Sequence, residues 1–249
     1  MSRSMSQLNS ENRNERTSGA GPVQHDESHG ELELPLSAAD DRAPEHTEDA
    51  VDEATEMAAR GESGAALARL RGLLAKDPAD TRARSLLAAL LERRGDPEGA
   101  LAELGRALDT APDDVQLLCA RATLLASRGR FDDAEEALRH AARTEPQSAD
   151  VQIQLGTLFS KRARWREAIE PLLAAVAAAP ERADAQYYLG EAYNHIDDLP
   201  AALAAFEAAV QLQPSNVRAL KGMGIVLDRL GRPTEAAAAH RRSRELHQR

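Results

Sequence analysis

Five prolines stand at one fixed interval in this 249-residue chain: Pro78, Pro112, Pro146, Pro180 and Pro214, each 34 residues beyond the last. Six alanines keep the same step, Ala66, Ala100, Ala134, Ala168, Ala202 and Ala236. So do six large apolar residues, Met57, Leu91, Leu125, Phe159, Tyr193 and Leu227. Proline is scarce here, 12 positions in all, and three columns in one register are not a coincidence of composition. Self-similarity at such a period marks a chain built from stacked copies of one supersecondary unit, none of which can bury its apolar face alone.

The register can be written out from residue 47. It gives units 47–80, 81–114, 115–148, 149–182, 183–216 and 217–249. Each reads as a helix, a short turn, a second helix and a proline-marked break. Leu87, Ala88 and Leu91 fall one turn apart, as do Leu155, Gly156 and Phe159, then Leu189, Gly190 and Tyr193, then Met223, Gly224 and Leu227. That spacing makes one apolar stripe on a helix, and the small residue in each triplet admits the paired helix closely. The turns carry Gly61, Gly95, Gly129 or Gly231, which accept the left-handed backbone that ends many helices. The second helix opens on cap signals, Asp96 before Pro97 and Asp197–Asp198 ahead of Pro200, because a first helical position has no use for the N–H that proline lacks. Leu70, Leu104, Leu138, Leu172 and Phe206 follow the alanine column four residues on. Each periodic proline then forbids continuation of the helix.

On these residues, from 47 to 249, the chain resembles the tetratricopeptide-repeat proteins. That family's 34-residue unit has large apolar residues at its seventh and eleventh positions and small ones at its eighth, twentieth and twenty-seventh. An aromatic or leucine stands at the twenty-fourth and proline at the thirty-second. The resemblance implies an all-α fold, a right-handed superhelical solenoid of about five to six helix–turn–helix units. Several positions depart from the pattern. Arg121 and Glu53 replace the apolar seventh residue. The leading helix, 47–60, offers only Val51, Ala54 and Met57, and is the part expected to fray or be absent. His240 and Ser243 replace apolar residues in the last helix; nothing stacks beyond it, so 233–247 reads as a solvating cap. Pro171 falls inside a second helix, at a cost of about 3 kcal/mol where unrelieved, and a tolerated bend near the first turn is expected.

Charge sorts the function classes. The chain carries a net −10, which argues against a general nucleic-acid or anionic-membrane binder. Arginine outnumbers lysine 28 to three, the bias expected of a GC-rich bacterial genome. Residues 21–60 hold twelve Asp/Glu against Arg42 and Arg60, whereas residues 217–249 hold eight Arg/Lys against Asp228, Glu235 and Glu245. Residues 1–46 are polar and nearly without apolar periodicity, and are expected to be a disordered acidic tail. Solubility accounts for its acidity; the sharper alternative is a tail that folds over the basic last unit or competes for its ligand. The start has no apolar core of signal-peptide length and no stretch reaches membrane-spanning length, so a soluble, cytoplasmic protein with no membrane span is expected.

A search for chemistry returns nothing that holds together. Cys119 is the single cysteine, which leaves no disulfide framework or multi-cysteine metal site. No lysine completes a phosphate loop, and Gly222-x-Gly224 lacks its third glycine. His25 and His29 are four apart but lack a third ligand. No enzyme, cofactor or metal is expected. The resemblance instead assigns a concave groove, lined by the second, fifth, ninth, twelfth and thirteenth positions of each unit. Those positions give Arg82, Ser85, Ala89, Gln116, Cys119, Thr123, Ile153, Thr157, Lys161, Tyr187, Glu191, Asn194, Arg218, Lys221, Ile225 and Arg229, with Tyr188 at the edge. The implied function is a scaffold or adaptor that binds another protein or peptide there. The Lys–Asn–Asn–Lys–Arg set by which some family members grip a chaperone's C-terminal tail is missing, since Ile225 stands where Asn is needed after Lys221. The alternative is a structural subunit that self-associates through its terminal repeats within a larger bacterial assembly.

Overall fold

The computed structural model describes residues 47–248, and every regular element among them is an α-helix. The expectations for residues 1–46, including the tail and the His25–His29 pair, lie outside the described residues. Twelve helices form six antiparallel hairpins. The first members are α1 (Thr47–Ala59), α3 (Thr81–Arg93), α5 (Val115–Ser127), α7 (Ala149–Lys161), α9 (Ala183–His195) and α11 (Val217–Arg229). The second members are α2 (Ser63–Lys76), α4 (Pro97–Thr110), α6 (Phe131–Thr144), α8 (Trp165–Ala178), α10 (Leu199–Leu212) and α12 (Pro233–His247). Each helix packs on its hairpin partner, and each second helix but the last also packs on the first helix that follows, so the core is one ribbon of contacts and not a single centre.

Both columns of the sequence become structure. All six periodic alanines are fully excluded from solvent, where two helices pass too closely for a longer side chain. The large apolar column does a second job through its backbone. The carbonyls of Met57, Leu91, Leu125, Phe159, Tyr193 and Leu227 each accept from the N–H five residues on, at 2.9–3.0 Å. With a second bond from the intervening residue, this closes each first helix by the motif that requires one left-handed residue. Gly61, Gly95, Gly129 and Gly231 take that conformation, with φ between +72° and +85°. In the fourth and fifth hairpins the same place falls to Ala163 (φ +55°) and Asp197 (φ +71°), which carry a Cβ penalty glycine would not.

The N-termini are capped by side chains. Asp80, Asp96, Asp114, Asp198 and Asn216 each accept from the N–H three residues on, at 2.8–3.2 Å. Where arginine stands instead, at Arg130, Arg164 and Arg232, its guanidinium pairs with Asp133, Glu167 or Glu235 in the first turn, a place where carboxylates complement the helix dipole.

The departures resolve in detail. The leading helix does form: Ala50, Val51, Ala54 and Ala58 are buried, and Glu53 stays on the surface beside Arg69 at 3.0 Å. Small residues suffice because α1 needs to cover only one neighbour face. Helix α8 runs unbroken through Pro171, which is buried at its seventh residue, so only the Glu167 carbonyl loses its helical donor. On α12, Ala236, Ala239 and Ser243 are buried, while Ala237, Ala238, Arg241, Arg242 and Arg244 face solvent. His240 fills the volume over Gly224, where a Cβ would come within 2.5 Å of the imidazole, and it pairs with Asp228.

Candidate protein-binding surface

Curvature follows from which helices meet. Helix α1 touches α3, α5 touches α7, α7 touches α9 and α9 touches α11, while no second helix meets the second helix of the next hairpin to a similar extent. The first helices therefore line the shorter, inner side. Of the side chains expected there, Arg82, Ala89, Gln116, Thr123, Lys161, Arg218, Lys221, Ile225 and Arg229 are exposed, and Ser85, Thr157, Tyr188, Glu191 and Asn194 are half-buried.

Cys119, Ile153 and Tyr187 depart from the expectation: they are only 7–8% exposed. All three occupy the fifth position of a first helix, and neighbouring first helices close over that position where they touch. Ile153 packs with Ala175 and Ala185. Tyr187 lies against Phe206 and Tyr188, with ring centroids 6.1 and 5.1 Å away, and the Arg218 guanidinium covers its ring at 4.7 Å. Burial, with Glu191 beside it, raises the Tyr187 hydroxyl well above the usual phenol range. Burial likewise pushes the Cys119 thiol up to about 11, helped by the charge of Asp150. A buried, protonated thiol is no nucleophile at neutral pH.

Four inner side chains converge. Thr123, Gln154, Thr157 and Lys161 ring a recess of about 60 Å³ between α5 and α7, floored by Ala122 and Leu138. The Thr123 hydroxyl bonds the Cys119 carbonyl at 3.0 Å and faces the Gln154 amide oxygen at 3.4 Å. The Thr157 hydroxyl bonds the Gln154 carbonyl at 2.9 Å. The space is far below the several hundred Å³ of a small-molecule site; it admits the tip of one small side chain. Gln154 was absent from the sequence reading because it holds the sixth position, which the groove rule omits.

Other polar joints connect one hairpin to the next. Arg82 bonds Asp52, Arg128 bonds Glu98 and Arg162 bonds Asp132 at 2.5–3.3 Å, each pair 30 residues apart. Trp165 and His195 share that spacing and stack at 3.7 Å between centroids. Opposite charges recurring at 30-residue separation were the signal available in the sequence. Glu135 is the densest joint: its carboxylate, 8% exposed, receives Arg162 at 2.9 Å, Arg164 at 2.5 Å and Arg139 at 2.8 Å. No cluster of His, Cys, Asp or Glu suited to a metal occurs among the described residues. No helix among them is long and apolar enough to cross a membrane.

Known proteins place this geometry. Residues 153–216 and 196–247 match one sequence profile of the tetratricopeptide repeat, and residues 57–122 match another. No curated protein matches the sequence significantly. Among solved structures, MamA residues 41–end from Desulfovibrio magneticus RS-1 is 26% identical, with a TM-score of 0.62 over 68% of this chain and 95% of that one. PilF from Pseudomonas aeruginosa superposes with a TM-score of 0.68 at 18% identity, over 78% of this chain and 88% of its own. YrrB, described as having an unusual peptide-binding site, gives 0.60 at 19% identity, over 71% and 91%. The last two likenesses concern the fold alone.

Proposed function

Because this chain belongs to the tetratricopeptide-repeat family, we propose that it is a non-catalytic scaffold that docks a protein segment along its inner side. The segment would lie across α3, α5, α7, α9 and α11. The observation that carries this reading is the cluster of Thr123, Gln154, Thr157 and Lys161 around a recess sized for one small side chain. Hydroxyls, an amide and an ammonium offer hydrogen bonds to an extended backbone, while the recess selects side-chain size. Neither the thiol of Cys119 nor the tyrosine of Tyr187 is placed for chemistry.

A photo-crosslinking residue at position 157 tests the reading against one at Leu173, which is 46% exposed on α8. In extract, a discrete partner band is expected from the inner position and not from the outer one. Equal labelling from both positions would defeat the inner-surface assignment.

A second reading rests on the two ends. Residues 47–80 hold eight Asp/Glu against four Arg/Lys, and residues 217–249 hold eight Arg/Lys against three Asp/Glu. Opposite ends of this kind favour head-to-tail association of copies. A sedimentation coefficient independent of concentration at low salt would eliminate it.

A further inference from the structure

Charge on the inner side is sorted, not merely mixed. Along α7, α9 and α11 three of the four acidic wall residues already have partners inside the chain. Asp150 and Asp184 are held by Arg182 at 2.7 and 2.8 Å and Asp228 by His240 at 3.1 Å, while Glu191 stands beside Tyr187. The cation Arg229 is also engaged, by Asp197 and Asn194. Lys161, Arg218 and Lys221 are exposed and have no carboxylate partner among the described residues. On these three helices, then, three free cations face the concavity of a chain whose net charge is −10.

The helix dipole accounts for Lys161, in the last turn of α7, but opposes Arg218 in the first turn of α11. Arg218 is moreover held against aromatic rings. Its guanidinium carbon lies 4.7 Å from the Tyr187 ring centre and 6.0 Å from that of Tyr188, and the residue stays exposed. An arginine fork is matched by a carboxylate.

Resting on the reading above, we infer that the inner side from α5 to α11 takes an acidic, extended protein segment. One carboxylate sits on Arg218 and Lys221. Another approaches Lys161 at the rim of the recess, and a residue of alanine or serine size enters the recess beside Thr157. Nucleic acid fits less well: the recess is too small for a base, and Tyr187 is buried beneath Arg218 and offers no stacking face.

The test uses the full chain and fluorescence anisotropy with three probes: a labelled peptide of alternating glutamate and alanine, its glutamine counterpart, and a thymidine oligonucleotide. The glutamate peptide should bind about tenfold more tightly than the glutamine one, and the joint variant Lys161→Gln, Arg218→Gln, Lys221→Gln should lose that advantage. Far-ultraviolet circular dichroism and an unchanged melting midpoint verify that the variant is folded. Equal binding of both peptides, undiminished binding by the triple variant, tighter binding of the oligonucleotide, or no binding of the glutamate peptide up to millimolar concentration overturns the inference. Thr157→Arg separates the two levels. If it abolishes binding of glutamate and glutamine peptides that bind alike, docking stands and the acidic preference falls. If peptide binding survives it unchanged, both fall.

Discussion

The first three hairpins and the last two fill the crossing inside each hairpin with different residues. In the first three, the pair that meets inside each hairpin is alanine against leucine: Ala54 with Leu70, Ala88 with Leu104, Ala122 with Leu138, all at most 3% exposed. In the last two, glycine faces a ring. A Cβ on Gly190 would fall 2.8 Å from the Phe206 ring, and one on Gly222 of the next hairpin would fall 2.6 Å from the far edge of the same ring. Phe206 therefore sits in a slot cut by two glycines, one in its own hairpin and one in its neighbour. What these crossings share is close packing and not a residue type, as expected of an interior packed to crystalline density. The fourth hairpin stands between the two solutions, with Gly156 against Leu172.

Phe206→Ala should break the comparison most severely. It removes a 1% exposed ring and leaves two glycines facing a void, at a cost of about 3–5 kcal/mol. Because each hairpin touches only its neighbours, amide exchange should accelerate across α9–α12 and much less across α3–α6. Uniform acceleration would refute the idea of separable blocks. Gly190→Ala comes next. Its methyl would strike the Phe206 ring, and overpacking should cost about 1–3 kcal/mol despite better helix propensity; Ala88→Gly, the reverse change in an early hairpin, should lose only about 1 kcal/mol beyond its small void. Denaturant midpoints would rank the two, and the opposite order would contradict the volume argument.

The polar joint at Glu135 sharpens the contrast from another side. Glu135→Gln leaves Arg162 and Arg164 without their shared carboxylate, and both guanidiniums are about a quarter exposed. Water should therefore relieve much of the loss, leaving about 1–2 kcal/mol. Ala163→Gly is expected to stabilise, by about 0.5–1 kcal/mol, since it relieves a left-handed alanine at the cost of some chain entropy. A lower melting midpoint would show that the Ala163 methyl makes a contact worth more than its strain. Cys119 supplies the mildest probe. Its folded-state pKa, raised to about 11 by burial, exceeds that of a free thiol, so its contribution to stability is complete below about pH 8.5 and declines as pH rises through 11. Alkylation at pH 8 should be slow, and rapid labelling would reveal that α5 opens locally.

The inner surface was only partly legible in the sequence. Thr123, Thr157 and Lys161 could be placed on one side through the family resemblance, but their convergence with Gln154 needed two helices from adjacent hairpins. Cys119, Ile153 and Tyr187 were expected in the wall because the family pattern places the fifth position of each unit in the groove. Other helices bury them: Ala175 of α8 and Ala185 of α9 pack with Ile153, and Phe206 of α10 lies against Tyr187, whose ring Arg218 of α11 covers. Glu135 drew no expectation from the sequence, because Arg162 and Arg164, two of the arginines that bury it, come from the turn of the next hairpin.

Period, helix ends and turn glycines were decided by the chain itself, since each depends on contacts within about 34 residues and on backbone preferences that hold in any surroundings. Which side chains remain open, which charges stay unpaired and how Phe206 is seated were decided by the stacking of neighbours. Those properties depend on distances between hairpins, and a small change in the angle between units converts an exposed position into a buried one without altering any local preference.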